Sequence, residues 1–504
     1  MNRLAILAFA LVYLSGATSG ALAQAGPRWA NEVLYFVLLD RFADGDGTNN
    51  ARVERRNPGG YHGGDLKGLT AQLDELADLG ISAIWINPVQ KQMAQGMYAQ
   101  APGKLGVPDF IHWGFHGYWI DDFETIEPQF GTRDDLKNFV DAAHARGIKV
   151  LLDVVYNHSG YNSPYKSRTT PGGEPWMRLG EGNCEVDPVT CAVGGLPDFR
   201  TEVPEVRKYL LDANIGLAKY AGVDGFRLDT YKHVESDFWR EHRQRTRGEI
   251  TQDFFLLAEH WGGTASSLDE FFARDEVDAG FDFSFKGSCE GFVMNRGRAV
   301  AFGSYLGKRH KIRPGYVVAH YLSSHDEPMS LANVGKDKDK FRICVAVQMT
   351  SLGMPVIYYG EEVARGGSEW PLNRNDMPWG KRNILPGKGV ARDEDLRDYY
   401  KRLIQLRKAH PALTQGDYQL LTGPQDPGLA YVRHEARSKD SVLVIANRGD
   451  TPLTVGHVLP ATWAGNAMTD IENKETVALT DGRFELTVTP KSARIFLPAT
   501  RKAF

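Results

Sequence analysis

Gly225-Phe226-Arg227-Leu228-Asp229 is a short apolar run that ends in a carboxylate. A strand buried on both faces is apolar almost throughout, as strands of a parallel sheet must be. Arg227 and Asp229, two residues apart, share one face of such a strand. Other runs end in the same way: Leu151-Leu152-Asp153-Val154-Val155-Tyr156-Asn157-His158, Leu256-Leu257-Ala258-Glu259 and Ser323-Ser324-His325-Asp326. Working outward, eight strand runs emerge, at 34–39, 83–87, 150–155, 225–229, 254–259, 280–283, 321–325 and 355–359.

Amphipathic helices separate these runs. Leu69, Leu73, Leu76 and Leu79 recur at helical spacing before a stop at Gly80. Thr132 caps a helix carrying Leu136, Phe139, Val140 and Ala143, which ends at Gly147. Val206, Leu210, Ala213, Leu217 and Tyr220 form a third stripe. One-sided helices alternating with buried strands predict an α/β chain, a (β/α)8 TIM barrel. Residues 157–200 are rich in Gly, Pro, Ser and Asn, and predict an inserted irregular subdomain after strand 3. Beyond residue 411 the pattern alternates, as in Phe484, Leu486 and Val488, and predicts a C-terminal antiparallel β-sandwich. The expected units are therefore a signal peptide at 1–23, the barrel at 24–156 and 201–410, the insertion at 157–200 and the sandwich at 411–504.

Arg3 followed by the apolar run 4–14 and Ala21-Leu22-Ala23 reads as an export signal, which predicts a periplasmic or extracellular protein. That run is too short to span a bilayer, and no later stretch is long enough. The formal net charge of −4 over 504 residues provides no basic field for nucleic acid or anionic lipid. Cys184 and Cys191, seven apart in a Gly/Pro-rich stretch, predict a local disulfide. Cys289 and Cys344 are read as buried thiols or as a second bridge.

Barrel enzymes keep their chemistry at the C-terminal ends of the strands. Asp229, Glu259 and Asp326 therefore converge if the barrel forms. Converging carboxylates suit either a metal site or acid/base work on a glycosidic bond. Cleavage with retention needs one ionised carboxyl to attack and one protonated carboxyl to protonate the leaving oxygen. Arg227 would keep Asp229 ionised, and burial or a like charge would keep Glu259 protonated.

These segments resemble the ordered motifs of the α-amylase family of glycoside hydrolases. Asp153-Val154-Val155-Tyr156-Asn157-His158, Gly225 through His233, Ala258-Glu259-His260 and Ser324-His325-Asp326 resemble its four main motifs. Leu196-Pro197-Asp198, His116-Gly117-Tyr118 and Gly353-Met354-Pro355 are also similar to family segments. The resemblance implies Asp229 as nucleophile, Glu259 as acid/base and Asp326 as the third carboxylate on the sugar hydroxyls. It implies Arg227, His158, His325 and His116 around the cleavage subsite, with Tyr118 as an aromatic platform. Lys232 would meet the leaving-group side and Arg374 the glycone side. Trp261, Trp370 and Trp379 offer flat faces for sugar rings or else fill the core.

The resemblance also implies structural Ca2+, one or two ions. Asn157, Asp198 and the His233 carbonyl match one site. Asp44, Asp46, Asn49, Asn50, the Gly63 carbonyl and Asp65 match a second site, seen in cyclodextrin glycosyltransferase-like and neopullulanase-like members. Read from its residues alone, that segment is a polar turn or a calcium loop. The implied activity is hydrolysis of internal α-1,4 bonds in starch-like glucan by a monomer. The alternatives are a cyclodextrin- or maltodextrin-degrading relative, a glucanotransferase, and a non-catalytic sugar-binding protein. The chain length predicts no full glucanotransferase with extra starch-binding domains. The absence of a domain before the barrel predicts no neopullulanase-like dimer.

Overall fold

A computed structural model describes residues 29–180 and 182–499. The expected export signal lies outside them. Among the described residues, no helix is long and apolar enough to cross a membrane.

Eight parallel strands close into a barrel: β1 (Leu34–Val37), β2 (Ala83–Ile86), β3 (Lys149–Val154), β4 (Gly225–Leu228), β5 (Phe255–Ala258), β6 (Ala279–Phe281), β7 (Val317–Tyr321) and β8 (Met354–Tyr358). The order around it is β1-β8-β7-β6-β5-β4-β3-β2. The strands are buried along their length apart from Lys149, as their apolar composition requires. The register sets Arg227 of β4 beside Asp153 of β3 and Leu257 of β5.

One strand lies elsewhere than its sequence suggested. β7 is Val317–Tyr321, so the expected run at 321–325 begins where the strand ends. Val317, Val318 and Ala319 supply its buried side chains, whereas Ser323 and Ser324 already belong to the following loop. His325 and Asp326 therefore stand on a loop above the barrel and not on the strand itself.

The helices follow their patterns with two differences. The first breaks at Gln72 into Leu66–Ala71 and Leu73–Leu79, then stops at Gly80, whose φ of 98° suits a residue without Cβ. Arg133–His144 begins with a capping box between Thr132 and Asp135 and buries Leu136, Phe139, Val140 and Ala143. Pro204–Ala221 buries Val206, Leu210 and Leu217 as expected, but Tyr220 is exposed and Leu211, Asn214, Ile215 and Ala218 complete the inner face.

The loop after β2 is far longer than the alternation suggested. Within it Gln90–Gln92 pairs with Ile120–Ile126, and Met97–Ala99 pairs with Phe110–His112. The insertion after β3 is irregular, with one short pairing of Met177–Arg178 with Asp198–Phe199. Its Cys184–Cys191 disulfide is formed, and Cys289 and Cys344 are buried free thiols.

The C-terminal unit is a six-stranded antiparallel sheet packed on the pair Leu453–Val458 and Arg483–Val488. Strand alternation allots its faces. Leu429, Tyr431, Val442 and Val444 join the barrel's core, while Ala430, Val432, Leu443 and Ile445 pack against Phe484 and Leu486. The central strands are thus buried on both sides, which firmly joins this unit to the barrel.

Candidate active site

The ladder carries the ends of β4 and β5 one residue past the strands. Asp229 N donates to Val154 O at 3.1 Å, and Glu259 N donates to Leu228 O at 2.9 Å. Both side chains then meet one guanidinium. Arg227 Nη1 lies 2.7 Å from Asp229 Oδ1, and its Nη2 lies 2.9 Å from Glu259 Oε1. Oxygens bound to the two terminal nitrogens of one guanidinium stand a few ångströms apart. Thr230, in the left-handed region at φ 48°, turns the chain so that its N–H donates to Glu259 Oε2 at 2.8 Å and its hydroxyl to Asp229 Oδ2 at 3.1 Å.

Asp153 is the residue that composition alone left without a role. It is fully buried on β3 and holds Arg227 from behind, at 3.1 Å. Trp85 Nε1 and the Tyr118 hydroxyl both donate to its Oδ2, at 3.0 and 2.8 Å. Burial pushes the Asp153 carboxyl up to about 7 against the pull of Arg227. With donors on both oxygens the ionised form is the one its surroundings satisfy. A signal was present in the sequence: an acid inside a run otherwise apolar on both faces.

Glu259 and Asp326 are driven apart. Burial pushes Glu259 up to about 8; Arg227 opposes this, and the charges of Asp229 and Asp326 add to it. Enclosure raises Asp326 as well, but His325, Arg374 and Arg227 outweigh it and hold that carboxyl below its ordinary range. Asp326 Oδ1 accepts from Arg374 Nη2 at 3.2 Å, and Arg374 Nε donates to the His325 carbonyl at 2.9 Å. Burial lowers His158, His116 and His325, the last to about 3, so all three are neutral imidazoles.

These groups surround one cavity of about 560 Å³, lined by Asp229, Glu259 and Asp326 together with Tyr118, His116, His158, His325, Lys232, His233 and Arg374. Gly117 lets Tyr118 face it: at φ 94° a Cβ there would meet Pro88 O at 2.3 Å. Tyr118 lies nearly parallel to His325, with ring centroids 5.3 Å apart. Arg227 sits beneath the floor, buried. Trp261 lines the cavity with 46% of its surface exposed, and Trp370 lines it too. Trp379 is core, its Nε1 donating to Phe42 O. His112, Trp119, Val193 and Leu196 also line the cavity, from two excursions whose irregular sequence offered no periodic signal.

Both candidate ion sites assemble oxygens. The Asn157 amide stands 2.8 Å from the His233 carbonyl oxygen and 3.1 Å from Asp198 Oδ1. Turned one way, its NH2 donates to both; turned the other, three oxygens face one point, an arrangement that a cation or a proton on Asp198 stabilises. Arg178 holds the other Asp198 oxygen at 2.6 Å. In the N-terminal cluster Asn49 and Asn50 each bury an amide oxygen with no hydrogen-bond partner among the described residues. Asn50 donates to Asp44 and Asn49 to Asp65, and a Cβ on Gly63 would touch the Asn50 oxygen. Arg55 and Lys67 already pair with Asp44 and Asp46, and Asp65 caps the helix Leu66–Ala71.

The alpha-amylase catalytic domain model matches residues 36–174 and 189–383, which spans the barrel and every carboxylate above. The chain belongs to the alpha-amylase family. A cyclomaltodextrinase of Bacillus sp is 30% identical over 86% of this family member and 75% of that protein. Neopullulanase 2 of Thermoactinomyces vulgaris is 30% identical over 93% and 78%. Among solved structures, an alpha-amylase from Geobacillus thermoleovorans complexed with acarbose superposes with a TM-score of 0.77 at 28% identity, covering 93% of this chain and 98% of that one. CldA, a cyclomaltodextrin glucanotransferase with a three-domain ABC distribution, gives 0.77 at 25% identity, covering 92% and 99%. The argument from length excluded only a glucanotransferase with extra starch-binding domains, and CldA is described as having three domains. A glucanotransferase of three domains fits a chain of this size, so size does not separate the family's activities.

Proposed function

We propose that this glycoside hydrolase cleaves α-1,4 bonds of soluble maltodextrins and cyclodextrins with retention, through a glucosyl ester on Asp229. The observation that carries the mechanism is the single guanidinium holding Asp229 and Glu259 side by side. Thr230 donates to both carboxyls as well, and this pairing supports the close arrangement of retention over the wider one that inversion uses. Glu259, protonated at neutral pH, donates its proton to the glycosidic oxygen as Asp229 Oδ attacks the anomeric carbon and the C–O bond breaks. The resulting Glu259 carboxylate then takes a proton from water, whose oxygen displaces Asp229. Asp326, held by Arg374, and the neutral histidines bind sugar hydroxyls, and Tyr118 supports the ring.

Of the substrates considered from sequence, soluble oligosaccharides have more support than internal bonds of starch, because the relatives at 30% identity are a cyclomaltodextrinase and a neopullulanase. Calcium belongs to this proposal: hard oxygen donors from distant segments suit Ca2+. Asn157, Asp198 and the His233 carbonyl would hold one ion, tying the insertion to the barrel. The cluster Asp44, Asp46, Asn49, Asn50, Gly63 and Asp65 would hold another. The export signal and a monomeric state complete the proposal.

Product chromatography on β-cyclodextrin, maltoheptaose and soluble starch tests the substrate. Faster turnover of starch than of either small substrate would overturn this choice. Asp229→Asn and Glu259→Gln should each retain the fold and lose turnover by roughly 10²–10⁴-fold or more. Near-native rates in either variant would end the mechanism.

A further inference from the structure

Cys184 and Cys191 meet a third soft donor that no spacing in the sequence suggests. The turn Tyr231–His233 sets the His233 ring against the disulfide loop, 42 residues beyond Cys191. His233 Nδ1 lies 3.8 Å from Cys191 Sγ. The two sulfurs and a ring nitrogen of His233 all lie within 4.8 Å of one another. Among the described residues, this is the one group of three or more His, Cys, Asp or Glu side chains gathered closely enough to hold a metal ion. The Pro188 carbonyl oxygen enters the same space, 2.7 Å from His233 Nδ1 and 3.4 Å from Cys191 Sγ.

These separations are close to those of a tetrahedral metal. Zinc bonds of about 2.3 Å to sulfur and about 2.0 Å to nitrogen put neighbouring donors roughly 3.5–3.8 Å apart. While the S–S bond is intact neither sulfur is a thiolate, so the cluster cannot bind such an ion. Reduction changes that. Cys184 is part-exposed and Cys191 is buried. The thiolate of a dithiol reductant attacks Cys184 Sγ, the S–S bond breaks, and Cys191 leaves as a thiolate. The second thiol of the reductant then closes its own disulfide and releases Cys184. Two electrons and two protons pass to the pair. A zinc ion displaces both protons and takes the two thiolates and the His233 ring, whose own proton moves to Nε2.

We propose that Cys184, Cys191 and the His233 ring form a zinc site that exists only when the disulfide is reduced, with the Pro188 carbonyl as fourth donor. The metal then closes the 184–191 loop in place of the S–S bond. Sulfur and imidazole donors select Zn2+ over Ca2+, the reverse of the oxygen donors around Asn157. The two sites use different ends of His233, its ring here and its backbone carbonyl there. His233 also lines the active-site cavity, so the ion holds a residue of that cavity in the reduced protein as the disulfide loop does in the oxidised one.

Cadmium is the probe, because it takes zinc's place at thiolates and gives a sulfur-to-metal absorption band in the ultraviolet. The full chain is reduced, freed of reductant under argon and titrated with Cd2+ in excess Ca2+. It should bind one Cd2+ with that band, and Zn2+ should compete the band away. The oxidised protein should show no band; it keeps the buried thiols of Cys289 and Cys344, so it controls for them. His233→Ala, which retains the backbone carbonyl, should weaken binding to the reduced protein by at least roughly 10–100-fold, the loss that even an outer partner of a metal ligand causes. His233→Cys, which restores a soft donor, should recover it, which separates a lost ligand from a damaged fold. A reduced protein without the band, an equal band in the oxidised protein, or undiminished affinity in His233→Ala would each overturn the site. None of these readouts depends on the substrate, so the site and the hydrolase reading fail separately.

Discussion

At the scale of single residues the site is organised by Arg227. Buried with three carboxylates around it, it is the charge that makes their burial tolerable. Glu259 is the carboxyl that remains protonated, and this has two measurable consequences. As the proposed proton donor it must be protonated, so kcat/KM should fall as pH rises through about 8. A falling limb placed two pH units lower would contradict that assignment. The same shift bears on stability. A carboxyl whose pKa rises on folding stabilises the fold below its unfolded value, and that stabilisation is lost as pH rises through the folded value. Glu259→Gln cannot ionise, so its melting temperature should gain on the wild type between pH 6 and pH 9. A difference that stays constant with pH would show that Glu259 is not the group titrating.

At the scale of elements, regular strands set the floor and irregular excursions set the walls. The disulfide loop shows how. Cys184 and Cys191 close a loop whose Pro188 carbonyl lies 2.7 Å from His233 Nδ1, and Cys191 Sγ lies 3.8 Å from the same nitrogen. This contact orients a histidine that lines the cavity. Closing so short a loop constrains the unfolded chain by roughly 2–3 kcal/mol. Replacing both cysteines by serine should free His233 and raise KM for maltoheptaose about three- to tenfold, the worth of one hydrogen bond, while kcat changes little. Unchanged KM in the double variant would mean that the loop does not position His233.

At the scale of the whole molecule, the barrel, the insertion and the C-terminal sheet hold the mouth together from different sides. The sheet shares its inner face with the barrel core, so these two units should unfold together. The insertion packs Tyr165, Trp176 and Phe199 onto the barrel's core, and the proposed ion would add a second tie. Ions bound only by the folded state stabilise it by about 2.7 kcal/mol each when present at 100 times their dissociation constant. A calcium chelator should therefore lower the melting temperature by several degrees, and added Ca2+ should restore it where Mg2+ does not. An unmoved transition would remove calcium from the description.

The sequence by itself determined the elements that rest on local physics. Runs apolar on both faces specified seven barrel strands nearly in place, a capping box and glycines specified helix ends, and period-two alternation specified the last strands. The polar residues closing those runs marked Asp229 and Glu259, because a strand's end is a place in the chain before it is a place in space. Only the tertiary structure decided that Asp153 grips Arg227, since that contact depends on the register between β3 and β4. It also decided that β7 ends at Tyr321, putting Asp326 on a loop, and that the Phe110 and Trp370 rings meet. Such contacts join segments with no periodicity of their own, separated by up to hundreds of residues, and packing alone selects them.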